Sequence, residues 1–217
     1  NEDVEGKFNV AVQGLRQPGS ALKPFAYLTA FKKGYTPDTF LFDLPTEFSS
    51  YINVCPLINI NYSDKNPLCF HPQNFSQTFQ GPVTFRQALA QSINVPSVKV
   101  LYLAGLAETI KTSQDFGITT LNDLSRFGLS LVLGGGEVKL IEMVGAYSVF
   151  SQEGVKHQQS FILRITDNQG MILEQYRDQA TQVAEPQYIR LINNILSDEE
   201  ARRPLFQNSF NLTVFPN

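Results

Sequence analysis

The sequence predicts an α+β chain made mostly of helices, with one β-hairpin as its clearest β-structure. Apolar residues recur at helical spacing in 21–33 and again in 186–200. By contrast, the runs at 160–166 and 171–177 are rich in β-forming residues and flank an Asp-Asn-Gln-Gly turn, which is the pattern of a hairpin. The chain has 217 residues, of which 42% are hydrophobic, so it can bury a sizeable core.

The first predicted helix follows a Gln-Pro-Gly-Ser turn, with Ser20 placed to open it and Gly34 to end it. Pro24 is compatible with this helix because it falls in the first turn, where no intrahelical N–H bond is lost. The apolar spacing predicts a largely buried helix. The stretch 38–81, rich in Pro, Asn, Ser and aromatic residues, predicts a long ordered loop, and loops of that length are usually functional.

Helices are also expected in the second half of the chain. Thr84 and Gln87 are placed to form a capping box for a helix that stops near Ser92, because Pro96 disfavours helix just before it. The segment from Pro96 to 117 predicts one or two further helices. The remaining elements are a glycine turn with an apolar helix in 131–154, a last helix at 186–200, and a loop over 202–217.

Composition argues against two classes of function. The formal net charge is -3 and no cluster of Lys and Arg stands out, which argues against a nucleic-acid partner. No apolar run reaches the roughly 18 residues that a membrane span requires. The first ten residues, NEDVEGKFNV, do not form a signal peptide, so any targeting or anchoring segment is expected outside this sequence. No motif calls for a cofactor.

The two cysteines, Cys55 and Cys69, bracket a polar loop. A disulfide between them would need an oxidising compartment, and the alternative of two unpaired thiols stays open. We expect no metal site, because Cys69 and His71 are too close together and lack a second Cys/His cluster.

Ser20 and Lys23 stand three residues apart at the start of the first helix, which puts their Cβ atoms on one face, about 5–6 Å apart. A serine hydroxyl is a poor nucleophile until a neighbour takes its proton, and a lysine with a lowered pKa can do so. The helix N-terminus favours a developing oxyanion. The alternative interpretation is an N-cap serine followed by a surface lysine.

Ser92 and Asn94 form a Ser-x-Asn pair just after a predicted helix. A second hydroxyl can relay a proton, and a carboxamide can bind a substrate amide. The alternative is a polar cluster at a helix end. The same pattern recurs at 209–211, so the pair is a weak signal on its own.

Three segments carry a resemblance to a known family. RQPGSALKPF (16–25) resembles the nucleophile segment of bacterial penicillin-binding proteins, and FQGPVTFRQALAQSINVPSVKVLYLAG (79–105) resembles their second-motif segment. LVLGGGEVKLIEMVGAYSVFSQEG (131–154) is similar to a segment of the bifunctional, class A members. The order and spacing also match this superfamily. The resemblance implies the penicillin-binding-protein/serine β-lactamase-like transpeptidase fold.

The resemblance also implies roles for the four residues. Ser20 would be the acylated nucleophile and Lys23 its general base, while Ser92 would relay the proton to the leaving amine and Asn94 would hold the substrate peptide. The substrates would be peptidoglycan stem peptides ending in D-Ala-D-Ala, and β-lactam antibiotics would acylate the same serine. The parent protein would carry an N-terminal glycosyltransferase domain and act outside the cytoplasm, anchored by a membrane segment outside this chain.

One departure from the family stands out, because its third motif, Lys-Thr-Gly, is absent. The nearest match, Lys111-Thr112-Ser113, lies in a predicted helix, whereas the motif belongs on a strand. The expected positions of the missing sheet strands lie before Asn1 and after Asn217. We therefore interpret 1–217 as a single, incomplete transpeptidase domain, mostly its helical part, with a hairpin near 160–177 and most of the central antiparallel sheet missing.

Other functions on the same scaffold stay open. A D,D-carboxypeptidase or β-lactamase would pass the acyl group to water. A β-lactam-binding sensor, or a catalytically inert fragment, would lack turnover altogether.

Overall fold

The computed structural model describes residues 8–49, 51, 53–55 and 66–207. No helix in this part of the chain is long and apolar enough to cross a membrane. Its α-helices are α1 (Val10–Gln13), α2 (Lys23–Lys32), α3 (Phe85–Ala90), α4 (Asn94–Ala104), α5 (Leu106–Asp115), α6 (Leu140–Ser151), α7 (Pro186–Leu196) and α8 (Glu199–Phe206). Short 3-10 helices cover Gly19–Leu22, Leu124–Arg126 and Leu129–Leu133.

The strands of the described residues pair two by two in antiparallel fashion, and no larger sheet forms among them. The pairs are β1 (Leu15–Arg16) with β4 (Val138–Lys139), β2 (Phe40–Asp43) with β3 (Gly81–Thr84), β5 (Val155–Lys156) with β8 (Thr181–Gln182), and β6 (Arg164–Thr166) with β7 (Ile172–Gln175). This mixed, mainly helical architecture confirms the predicted α+β class.

α2 lies at the centre of the fold. Every residue from Lys23 to Phe31 is buried, and the helix contacts α4, α5 and α7. A helix that is apolar on nearly all sides must be surrounded by other elements, as the sequence predicted for this one. Because Lys23 is the first residue of this helix, the packing that holds α2 also holds the lysine.

Phe25 joins α2 to α6. Its ring centroid lies 5.5 Å from that of Phe116, 6.2 Å from Tyr147 and 5.4 Å from Phe150. Contacts of this kind, two of them edge-to-face, stabilise aromatic clusters. At the same place the Tyr147 hydroxyl donates to the Ala21 carbonyl at 3.0 Å, so α6 packs directly against the start of α2.

The predicted capping box of α3 is confirmed. Thr84 Oγ1 accepts from the Gln87 backbone N–H at 3.2 Å, and Gln87 Oε1 accepts from the Thr84 backbone N–H at 2.9 Å. The sequence predicted either one or two helices beyond this point. The structure has two, α4 and α5, which meet at Gly105, where φ is +89° and glycine is favoured.

The predicted hairpin is also confirmed, with strands shorter than the β-rich runs. Arg164 of β6 lies opposite Gln175 of β7. Between the strands, Asp167 Oδ1 accepts from the backbone N–H groups of Gln169 and Met171 at 2.9 and 2.8 Å, which closes the turn.

The long loop predicted for 38–81 has a strand near each end, β2 and β3, and these two strands pair with each other. Phe40 lies opposite Thr84 and Asp43 opposite Gly81, so the chain returns to the point from which it left. Part of this stretch, at 50, 52 and 56–65, lies outside the described residues.

The prediction of one helix at 186–200 followed by a loop is wrong, because α8 continues to Phe206. The helix is interrupted before Asp198. The Asp198 side chain accepts from the Ala201 N–H at 2.9 Å and caps a second helix. Contacts distant in sequence hold α8 in place: Arg86 pairs with Asp198 at 2.8 Å, and Gln91 Nε2 donates to the Ala201 carbonyl. The rest of the predicted loop, 208–217, lies outside the described residues.

Candidate active site

Ser20 and Lys23 lie in consecutive turns of a tight helix. Ser20 is inside the 3-10 helix Gly19–Leu22, which runs directly into α2, and its carbonyl accepts the Lys23 N–H. Residues three apart in a 3-10 helix lie one above the other, so both side chains share a face. Ser20 is exposed, whereas Lys23 is 1% exposed. The alternative of an N-cap serine followed by a surface lysine is therefore wrong.

The Lys23 amine is held by two residues from another part of the chain. Its Nζ donates to the Ser92 carbonyl at 2.6 Å, to Ser92 Oγ at 3.1 Å and to Asn94 Oδ1 at 2.8 Å. No carboxylate of the described residues forms an ion pair with it. Burial without a compensating negative charge lowers the pKa of Lys23 from 10.5 to about 7. A large share of the amine is then neutral near neutral pH and can accept a proton.

Ser92 adopts a strained backbone conformation. Its φ is +55°, in the left-handed region that non-glycine residues rarely enter. Hydrogen bonds on both sides hold it there, because the Ser92 N–H donates to the Leu89 carbonyl and the Ile93 N–H to the Ala88 carbonyl. This conformation turns both the carbonyl and the hydroxyl of Ser92 toward Lys23. Strain of this kind is typical of functional sites.

We predict that Ser92→Gly is more stable than Ser92→Ala by about 1 kcal/mol, because glycine adopts a positive φ without steric conflict and alanine does not. Both variants lack the hydroxyl, so their difference isolates the backbone strain. Urea unfolding of the two proteins measures it. An alanine variant as stable as the glycine variant would show that Ser92 is not strained.

Asn94 is the first residue of α4, and its side-chain amide is held at both ends. Oδ1 accepts from Lys23, and Nδ2 donates to the Gln73 carbonyl at 2.8 Å. Asn74, in the long loop, accepts the backbone N–H groups of Asn94 and Val95. Asn74 was not predicted from the sequence, because no spacing or motif connects it to Asn94.

A cavity of about 190 Å³ opens between these elements. Its lining includes three of the predicted residues, Ser20, Lys23 and Ser92, together with Pro24, Leu89, Ala90, Tyr147, Leu196, Arg202 and Phe206. The fourth, Asn94, reaches the site through its bond to Lys23. A larger groove, of about 550 Å³, lies along the β6–β7 hairpin and contains none of the four.

Tyr147 is a second residue that the sequence analysis missed. It lines the cavity beside Ser20, and burial raises its pKa to about 12. The phenol is therefore neutral at physiological pH, and its O–H donates to the Ala21 carbonyl, which fixes the ring at the wall of the cavity. The sequence signal was only an apolar helix at 131–154, which does not reveal where a tyrosine of that helix lies.

The predicted glycine turn packs against the backbone just before the candidate nucleophile. Gly134 is buried and has φ of +95°. A Cβ atom at this position would lie 2.5 Å from the Gly19 nitrogen and 2.6 Å from the Gly19 Cα. Only glycine permits this approach, so the turn helps to place the segment that carries Ser20.

The tripeptide Lys111-Thr112-Ser113 lies in α5, as predicted, and not on a strand. Thr112 is buried and receives a hydrogen bond from Thr29 at 2.9 Å, while the Lys111 amine pairs with Asp115 at the surface. It therefore cannot stand in for the family's third motif.

Cys55 and Cys69 are joined by a disulfide in the structure. Beside it, Glu47 is buried and accepts hydrogen bonds from the Phe70 N–H at 2.5 Å and from His71 Nδ1 at 3.0 Å. Burial alone would raise the pKa of Glu47, but its hydrogen bonds outweigh burial and the pKa lies below its ordinary value. Glu47 and the two sulfurs are close together, yet bonded cysteines offer no thiolate to a metal.

Comparisons with known proteins agree with this fold. A family model described as the penicillin binding protein transpeptidase domain matches residues 1–207. Penicillin-binding protein 1A of Pseudomonas aeruginosa is 35% identical over 172 residues, which cover 79% of this chain and 19% of that protein. Penicillin-binding protein 2D of Bacillus subtilis is 35% identical over 178 residues, which cover 81% of this chain and 23% of that protein.

Solved structures share the same fold. Penicillin-binding protein 1A from Haemophilus influenzae has a TM-score of 0.74 at 25% identity, over 89% of this chain and 31% of that one. PBPA from Mycobacterium tuberculosis has a TM-score of 0.73 at 12% identity, over 97% of this chain and 48% of that one. At such low identity the second match shows the fold alone.

The architecture is thus that of a penicillin-binding protein transpeptidase fold. The chain belongs to the penicillin-binding protein transpeptidase family, as the segments at 16–25 and 79–105 predicted. The relatives named penicillin-binding protein 1A support the class A assignment that 131–154 predicted. The chain spans about a fifth of the length of the curated relatives it matches.

Proposed function

We propose that this chain carries the acyl-transfer site of a D,D-transpeptidase, which cross-links peptidoglycan stem peptides through a serine acyl-enzyme and is inhibited by β-lactams. One observation carries the proposal: the buried Lys23 amine, with a pKa lowered to about 7, bonds Ser92 and lines the same cavity as Ser20. Membership of the penicillin-binding protein transpeptidase family supports the same reaction.

In the acylation step, Ser20 Oγ attacks the carbonyl carbon of the penultimate D-Ala while the neutral Lys23 amine takes its proton. The backbone N–H of Ser20, at the N-terminus of a helix, is one donor to the oxyanion that forms. The bond to the terminal D-Ala nitrogen then breaks, and Lys23 returns the proton to that nitrogen through the Ser92 hydroxyl. D-Ala leaves, and the stem peptide remains on Ser20 as an ester.

In the second step, the amine of a neighbouring stem peptide attacks the ester carbonyl. Its proton passes to Lys23 by way of Ser92. The new amide bond forms as the ester C–O bond to Ser20 breaks, and Lys23 returns the proton to Ser20 Oγ. Asn94 holds the donor peptide, since among the described residues its amide bonds only Lys23 through one lone pair and Gln73 through one N–H, which leaves a second lone pair and a second N–H for the peptide.

A carboxypeptidase or β-lactamase would require a group that activates water for deacylation. Among the described residues that line the cavity, none is an Asp or a Glu. This observation favours an amine as the acyl acceptor over water.

The cellular setting follows from the same proposal. The relatives of type 1A support a parent protein with an N-terminal glycosyltransferase domain, anchored in the membrane by a segment outside this chain. The Cys55–Cys69 disulfide fits an oxidising, extracytoplasmic compartment.

The test is intact-mass analysis of the purified protein after incubation with benzylpenicillin, with Ser20→Ala as the control. We expect one penicillin per molecule on the wild type and none on the variant. Turnover of a stem-peptide donor with an amine acceptor then separates a transpeptidase from a sensor, which would form the adduct without turnover. Absence of the adduct on the wild type would refute the proposal.

A further inference from the structure

We propose that Asn74 is a positioning residue for Asn94 and Lys23, and that Asp43 holds the Asn74 amide in the orientation this requires. The inference rests on the proposed function, because it concerns how the acyl-transfer site is held in place. Asn74 lies in the long loop and is 5% exposed.

The oxygen end of the Asn74 amide caps α4. Asn74 Oδ1 accepts the backbone N–H groups of Asn94 and Val95, both at 3.1 Å. The residue before α4 is Ile93, whose apolar side chain cannot satisfy these N–H groups. Asn74 therefore supplies from the loop the cap that α4 lacks in its own sequence, and it holds the turn from which Asn94 reaches Lys23.

The nitrogen end of the same amide is held by a buried carboxylate. Asn74 Nδ2 donates to Asp43 Oδ1 at 2.8 Å, to Asp43 Oδ2 at 2.9 Å and to the Thr78 carbonyl at 2.9 Å. Asp43 is fully buried and also accepts the Gln80 N–H. Carboxylate and carbonyl oxygens only accept and backbone N–H groups only donate, so these partners permit a single orientation of the amide.

The site depends on this arrangement because the Lys23 amine donates to Asn94 Oδ1, at the start of α4, and to the carbonyl and hydroxyl of Ser92, two residues before α4. A shift of the first turn of α4 would move the acceptors that hold the Lys23 amine at the cavity that Ser20 also lines. Displacements of about 1 Å in a catalytic group can lower a rate by about 100-fold.

The experiment compares Asn74→Asp, Asp43→Asn and the double variant by the kinetics of benzylpenicillin acylation. In Asn74→Asp two buried carboxylates face each other, and we expect the first-order acylation rate constant to fall about 10- to 100-fold. In the double variant the carboxylate at 74 accepts both from α4 and from the amide at 43, and the net charge is unchanged. The Thr78 carbonyl loses its donor, so we expect the rate to return only to within about tenfold of the wild type.

Rate and folded fraction together separate positioning from mere stability. Acylation is irreversible, so reversible partial unfolding would leave full labelling in the end and lower the rate constant only in proportion to the folded fraction, which urea unfolding measures. A rate constant in Asn74→Asp that falls no further than the folded fraction would overturn the inference. If Asn74→Asp does not fold, the double variant decides: a folded protein with a rate within about tenfold of the wild type supports the inference, whereas misfolding or slower acylation refutes it. A wild type that forms no adduct would refute the proposed function itself, whereas a normal adduct with an unaltered rate in Asn74→Asp refutes only the role of Asn74.

Discussion

Replacing Lys23 with methionine is expected to lower the rate of Ser20 acylation by penicillin by about 100- to 10,000-fold, the contribution typical of a general base. Methionine keeps much of the length and apolar packing of the side chain but cannot take a proton. The wild-type rate is expected to rise with pH around a midpoint of about 7, because only the neutral amine accepts the serine proton. Adduct formation timed from about pH 6 to about pH 8 measures both effects.

The same amine makes folding stability depend on pH. The pKa of Lys23 is about 7 in the folded protein and 10.5 ordinarily, so between these values the unfolded chain binds more protons than the folded one. Stability relative to Lys23→Met therefore rises with pH across this window, by up to roughly 1.4 kcal/mol per pH unit. The dependence levels off below and above the window. Urea unfolding of both proteins at several pH values measures it.

Lys111→Met is the matched control for the loss of a lysine. Lys111 lies on the exposed side of α5, pairs with Asp115 at the surface and does not line the cavity. We expect its acylation rate to equal that of the wild type. A Lys23→Met variant that acylates as fast as the control, with the same pH profile, would exclude Lys23 as the general base.

Gly134→Ala is expected to destabilise the protein by about 3 kcal/mol and to slow acylation of Ser20 by about 100-fold. The added Cβ would lie 2.5 Å from the Gly19 nitrogen, and backbone atoms cannot move aside as a flexible side chain can. The positive φ adds strain to the clash. Since Gly19 precedes Ser20, relief of the clash must displace the nucleophile. Urea unfolding and adduct kinetics measure the two effects.

Gly34→Ala separates the clash from the backbone strain. Gly34 has φ of +96°, close to the +95° of Gly134, but a Cβ there meets no atom within 4 Å. We expect this control to lose about 1 kcal/mol of stability from strain alone and to acylate at the wild-type rate. Equal effects of the two substitutions would mean that the contact between Gly134 and Gly19 does not position Ser20.

The sequence was informative wherever the physical cause is local. The capping box of Thr84 and Gln87 forms between residues three apart, and the hairpin follows from a turn centred on Asp167. The shared face of Ser20 and Lys23 follows from helical geometry over one turn. For the same reason the family resemblance and the α+β class could be recognised before any coordinates were known.

Local patterns failed at the C-terminal end. A helix was predicted to end at 200 and a loop to cover 202–217, but α8 runs from Glu199 to Phe206 although Pro204 lies inside it. Its stability depends on the Arg86–Asp198 ion pair and on the bond from Gln91 to Ala201, and both join residues more than 100 positions apart. The helix propensity of neighbouring residues in the sequence carries no information about such contacts.

Local patterns thus predicted most of the helices and the hairpin, and the family resemblance implied the candidate nucleophile, base and relay. The lowered pKa of Lys23, the cap that Asn74 provides to α4 and the approach of Gly134 to Gly19 could not be predicted in this way. Each of these depends on burial or on distances between segments far apart in the chain. Desolvation and close packing arise only when those segments meet, so a sequence can name the reactive groups while their reactivity is set by the folded environment.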